Sequence, residues 1–67
     1  MKLRIEFDID NDAFQIDGKW LNNMAVADTV NEIANRISAG IIGPNAQNIR
    51  DINGNTVGKY QIVDFLK

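Results

Sequence analysis

The chain has 67 residues, seven Lys and Arg against nine Asp and Glu, no His and no Cys, and a net charge of −2. That length confines it to one domain, which buries only about 60% of the surface its unfolded chain exposes. The missing imidazoles and thiols exclude disulfide staples, a thiolate nucleophile, an imidazole base and the usual zinc, haem or iron–sulfur sites.

Residues 3 to 9 carry the clearest pattern. Leu3, Ile5, Phe7 and Ile9 alternate with Arg4, Glu6 and Asp8, the period-2 signature of a strand with one face on a core and one in water. From Asn11 to Asn23 the pattern is less regular, with Phe14, Ile16, Trp20 and Leu21 around an Asp17-Gly18 turn signal. Either a short second strand or a loop pinned to the core by its aromatics fits this stretch, and we favour the loop.

A helix of about 16 residues, roughly 24 Å long, is expected next. Val26, Val30, Ile33 and Ile37 recur at helical spacing, with Ala34 on the same stripe. Asn22 or Asn23 is the candidate cap, and Thr29-Val30-Asn31-Glu32 reads as a capping box further on. Gly40 and then Pro44 supply its stop.

The last third reads as a hairpin, with strands at 47 to 51 and 55 to 63. Between them Asp51-Ile52-Asn53-Gly54 fits a type I turn closed by a left-handed glycine. Pairing Asp51 with Asn55 sets Ile49 opposite Val57 and turns Tyr60 and Ile62 to the other face. Either Gly58 marks a bulge that restores the face, or both faces are covered by a partner; the bulge is the favoured solution. The expected architecture is therefore a single α+β domain over residues 1–67, strand-helix-strand-strand, with one helix on a three-stranded, mostly antiparallel sheet.

The acidic run Glu6, Asp8, Asp10, Asp12 and Asp17 contains no Lys or Arg. Asp8-Ile9-Asp10-Asn11-Asp12 begins like a calcium loop and then fails, with Ala13 at the position that needs Gly and Lys19 where a bidentate Glu belongs. No metal or cofactor is expected. The run reads either as a solvated strand face or as an acidic edge that fits a basic groove on a partner. Paired carboxylates need a deep cleft to do acid–base chemistry, which a one-helix chain hardly builds. Ser38 has no base, and Gly40-Ile41-Ile42-Gly43-Pro44 lacks the Lys of a phosphate loop. No enzymatic activity is expected. Lys2, Arg4, Arg50 and Lys59 with Tyr60 would make at best a crude single-strand platform, opposed by the acids beside them and by the net charge; Lys19, Arg36 and Lys67 are scattered. Direct nucleic-acid binding is not expected. Trp20, Ile41, Ile42, Ile52, Phe65 and Leu66 exceed what a solvated surface wants, so they cap the ends of a thin core or form a contact patch.

No apolar run approaches the ~20 residues that cross a bilayer, and Met1-Lys2-Leu3-Arg4-Ile5-Glu6 alternates charge rather than forming a signal-peptide core. We expect no membrane partner and a cytoplasmic location.

The opening Met1-Lys2-Leu3-Arg4-Ile5-Glu6-Phe7-Asp8 with Asp10-Asn11-Asp12-Ala13-Phe14 resembles very small proteins encoded by bacteriophages and prophages. So does the closing Gly43-Pro44 with Arg50-Asp51-Ile52-Asn53-Gly54-Asn55-Thr56-Val57-Gly58. Gln15 to Ala25 departs from that pattern, Ile16, Trp20 and Leu21 being particular to this chain. The resemblance implies an accessory phage protein acting in a bacterial host, of the kind that inhibits a host protein, anti-CRISPR and other anti-defence factors included. It brings no functional residues with it. From the residues themselves, the candidate partner contacts are Glu6, Asp8, Asp10 and Asp12, with Trp20 as an apolar anchor. A homodimeric or larger self-assembling module is the alternative, and a weak nucleic-acid binder the third.

Overall fold

A computed structural model describes residues 1–66. Strand β1 (Lys2–Phe7) is followed by a 3-10 turn (Asp12–Phe14), short strands β2 (Gln15–Ile16) and β3 (Trp20–Leu21), and helix α1 (Asn23–Ser38). Strands β4 (Gln47–Arg50) and β5 (Thr56–Val63) close the chain. The main sheet is antiparallel in the order β1-β5-β4, and β2 and β3 form a separate two-stranded ribbon. This is the α+β architecture the sequence predicts, with a small ribbon added.

Local chemistry explains each boundary. Asn22 caps α1 by accepting from the Ala25 N–H at 3.1 Å. At the other end Gly40 sits at φ +87°, the Gly40 N–H reaches the Ile37 carbonyl and the Ile41 N–H reaches the Arg36 carbonyl. That pair of bonds is the Schellman arrangement, which satisfies two of the last free carbonyls.

Residues 11 to 23 are not the loop we favoured. Asn11 caps the 3-10 turn through its side chain, which accepts from the Ala13 N–H at 3.0 Å. Asp17 and Gly18 both take positive φ, 55° and 68°, the geometry that closes a tight hairpin with the twist of its strands. Only Phe14 of this segment reaches the core. Its ring lies 5.7 Å from that of Phe7, while Trp20 stands 68% exposed.

In the β4–β5 hairpin the Asp51 N–H donates to the Asn55 carbonyl and Gly54 sits at φ +82°, as the turn residues require. Ile49 pairs with Gly58 and Arg50 with Thr56, so the extra residue of the bulge is Val57, not the Gly58 expected from the sequence. The bulge brings Gly58, Tyr60 and Ile62 onto one face with Ile49, and β1 adds Leu3, Ile5 and Phe7 to it. Parity is restored without a partner on the second face.

The core is small. Ile33, Ile49 and Tyr60 are buried, with Phe7, Ile37 and Val57 packed against them. On α1 the buried positions are Thr29 and Ile33, while Val30 and Ala34 lie outside the stripe. Leu3 and Ile5, expected on the core face, remain 50% and 40% exposed because α1 packs toward β4 and the buried cluster is Ile33, Ile49 and Tyr60, with only Phe7 of β1 against it.

Candidate functional site

An acidic groove lies where three elements meet: the 3-10 turn, the first half of α1 and the tip of the β4–β5 hairpin. It is an open groove of about 600 Å³. Helical spacing puts Asp28 and Glu32 four residues apart on one side of α1, and Asp12 faces them from the turn. Met24 and Ile52 line the same groove, 72% and 91% exposed.

A hydrogen bond holds the walls in place. The Asn11 side-chain amide donates to Asp51 Oδ2 at 3.0 Å, tying the turn to the hairpin. Asp51 Oδ1 accepts from the backbone N–H groups of Asn53 and Asn55, each at 2.9 Å. Burial pushes the Asp51 carboxyl up, but these hydrogen bonds, from Asn55 and Asn53 first, outweigh it and hold the group below the ordinary aspartate value.

Charge in the groove is unbalanced. Among the described residues none of Asp12, Asp28 and Glu32 has a cationic partner within ion-pair distance. Arg50 lines the groove but donates to the Gly54 carbonyl at 3.4 Å instead. Like charges four apart on a helix repel by a few tenths of a kcal/mol, so the fold carries a small cost here for negative potential beside apolar surface.

The five residues singled out in the sequence are not brought to one place. Glu6 and Asp8 line a shallow hollow on the polar face of β1 and β5 together with Arg4 and Lys59, and Glu6 pairs directly across from Lys59. Their charge is thus interleaved with basic groups. Asp10 is exposed, its carbonyl accepting from the Gln15 side chain at 2.9 Å. Asp12 belongs to the groove, and Trp20 to the ribbon. Among the described residues no three acidic side chains converge as a cation site would require. Of the surplus apolar residues Ile42 is half-buried, and Trp20, Ile41, Ile52, Phe65 and Leu66 are exposed. Among the described residues no helix is long and apolar enough to cross a membrane.

Sequence reasoning passed over Asp28 and Glu32. Their signal was an i, i+4 pair of acids whose one basic neighbour at helical spacing is Arg36, four residues beyond Glu32; in the fold that guanidinium goes instead to the Asn48 carbonyl and the Tyr60 ring. No family model, no curated protein and no solved structure matches this chain.

Proposed function

We propose that the chain is a non-enzymatic binding module of phage type, which inhibits a bacterial host protein by occupying a cationic surface on it. The class of target that fits is a defence complex that handles nucleic acid, because its groove presents the basic side chains an acidic rim complements. The observation that carries this reading is the groove itself. Asp12, Asp28 and Glu32 lack cationic partners among the described residues, beside exposed Met24 and Ile52. Charge of that kind orients and accelerates encounter, and exposed apolar side chains supply the anchor once water is expelled. The absence of His and Cys supports binding rather than catalysis.

The test compares the native chain with Asp28→Lys/Glu32→Lys as tagged baits in nuclease-treated bacterial lysate. A host protein captured stoichiometrically by the native chain and released by salt is expected to bind the variant at least tenfold more weakly. The basis is that a close interfacial charge pair is worth about 1.5 kcal/mol or more. Both substitutions are on exposed positions, so thermal unfolding stays nearly unchanged. Equal capture by the two baits, or no stoichiometric host protein at all, overturns the reading.

A further inference from the structure

The main sheet has two edges, and they are not alike. At the β4 edge the strand is four residues long, and Arg36 Nη1 reaches from α1 to donate to the Asn48 carbonyl at 2.9 Å. Gln47 and Ile49 carry the bonds to β5, so Asn48 and Arg50 face outward, and the helix takes up the Asn48 carbonyl at the middle of this short edge. The β1 edge is six residues long and pairs with β5 on one side only. The Asp8 N–H donates to the Val57 carbonyl at 2.9 Å. By the alternation of an antiparallel ladder, Lys2, Arg4 and Glu6 therefore also bond inward, and Leu3, Ile5 and Phe7 point their N–H and C=O groups outward. An unpaired edge of this length is a template for another strand.

We propose that this edge is covered by β1 of a second copy, paired antiparallel about a two-fold axis through Ile5. The sequence of the strand selects that register. With Ile5 opposite Ile5 of the second copy, Leu3 meets Phe7 and the outward hydrogen-bonding groups match in pairs. On the other face Arg4 meets Glu6 and Lys2 meets Asp8, and the symmetry repeats both pairs, so every charged cross-strand pair joins opposite signs. Registers that keep the hydrogen-bond parity must shift by two residues. One such shift sets Arg4 against Arg4, and the other sets Glu6 against Glu6. The two-fold lies perpendicular to the sheet, so both apolar faces share a side and the exposed Leu3 and Ile5 of the two copies form one continuous strip. A six-stranded sheet results, ending at the two β4 edges.

The test is a charge-swap series read by light scattering and sedimentation across dilution. The native chain is expected to move from one to two chain masses as concentration rises. Arg4→Glu places like charges at both central pairs and remains monomeric at concentrations where the native chain pairs, as does Glu6→Arg. Mixed in equal amounts, the two variants restore Arg–Glu pairing across the axis and form a dimer with one of each. Amide exchange of the native chain gives a readout without substitution, because the Leu3, Ile5 and Phe7 amides become protected only at the higher concentration. A native chain that stays monomeric at millimolar concentration overturns the proposal. So do single variants that dimerise as the native chain does, a mixture that stays monomeric, or an assembly larger than two. None of those outcomes touches the acidic groove, which lies on other elements.

Discussion

The Asn11 side-chain amide donates to Asp51 Oδ2 at 3.0 Å, joining residues forty positions apart. Asn11 also accepts from the Ala13 N–H, and its carbonyl accepts from the Phe14 N–H at 3.0 Å, so one side chain and its backbone set both the 3-10 turn and its distance from the hairpin. Asp51 is the counterpart on the far wall, 7% exposed and holding the hairpin tip through Asn53 and Asn55. The groove exists because these two residues meet.

Acid should therefore loosen the molecule at Asp51. Its folded carboxyl lies below its ordinary value, so its contribution is complete above the unfolded pKa, about 4. That contribution is lost as pH falls through the lower folded value. Asp51→Asn keeps the shape but turns an amide toward the donors of Asn11 and Asn55, so thermal stability at neutral pH is expected to drop. The part of the acid-limb slope owed to this group should vanish with it. An unchanged slope below pH 4 in the variant would assign the acid sensitivity elsewhere.

Gly58 is the position where side-chain volume has nowhere to go. It pairs with Phe7 on one side and Ile49 on the other, and a Cβ there would run into the Glu6 carbonyl oxygen and the Phe7 Cα. Backbone atoms on the neighbouring strand yield only if the β1–β5 pairing opens. A domain of this size holds about 3 to 10 kcal/mol in all, at the usual 0.05–0.15 per residue. Gly58→Ala is expected to leave the chain largely unfolded at room temperature by circular dichroism and amide-proton dispersion. A native-like spectrum and melting temperature would refute the register that sets Gly58 against Phe7.

How far the sequence revealed this molecule depends on the range of the contact that decides each feature. Asn22, Gly40 and the Asp51–Gly54 turn act within a few residues, and α1 and the last hairpin are legible from them. That a bulge was needed was legible too, since the apolar parity of Ile49 against Tyr60 demanded one residue of slippage; its place was not, for the expected Gly58 is paired and the extra residue is Val57. The ribbon at Gln15–Leu21 was missed because two-residue strands have no period to read, and what fixes them is a turn at Asp17-Gly18 and the Asn22 N–H on the Phe14 carbonyl, 2.8 Å away. Asp28 and Glu32 lie off the apolar stripe of α1, and only the fold carries Asp12 and Ile52, distant in the chain, to the same groove.

Tyr60 ties down the connection from α1 to β4. Its ring is fully buried, its hydroxyl donates to the Ile41 carbonyl at 2.8 Å, and the Arg36 guanidinium stands 5.3 Å from the ring centre. The bond anchors the segment that leads from α1 back to β4. Tyr60→Phe removes it while preserving the packing, at a cost of about 1 kcal/mol. For a domain of this length that lowers the melting temperature by roughly 4–8 °C. Tyr60→Leu should cost distinctly more, because it also opens a cavity and strips the ring from under Arg36. If Tyr60→Phe melts with the native chain, water replaces the Ile41 bond without loss.

Trp20 is the chain's single tryptophan, and its position makes it a reporter rather than a support. It pairs with Ile16 across the ribbon, with Leu21 beside it, and all three are exposed. A two-stranded ribbon is marginal on its own, and this one hangs from the core by Phe14. Trp20→Ala is expected to shift stability by no more than about 0.5 kcal/mol, as surface substitutions do. In the free protein the indole should emit as a solvated group and be quenched readily by acrylamide. Because the ribbon follows directly from the 3-10 turn that bears Asp12, a partner seated in the groove and extending over the ribbon would shield the indole. Its emission would then move to the blue and quenching would fall, and Trp20→Ala would weaken binding without touching folding. A partner that binds through Asp28 and Glu32 while Trp20 stays fully quenchable would confine the contact to the groove and leave the exposed ribbon outside it.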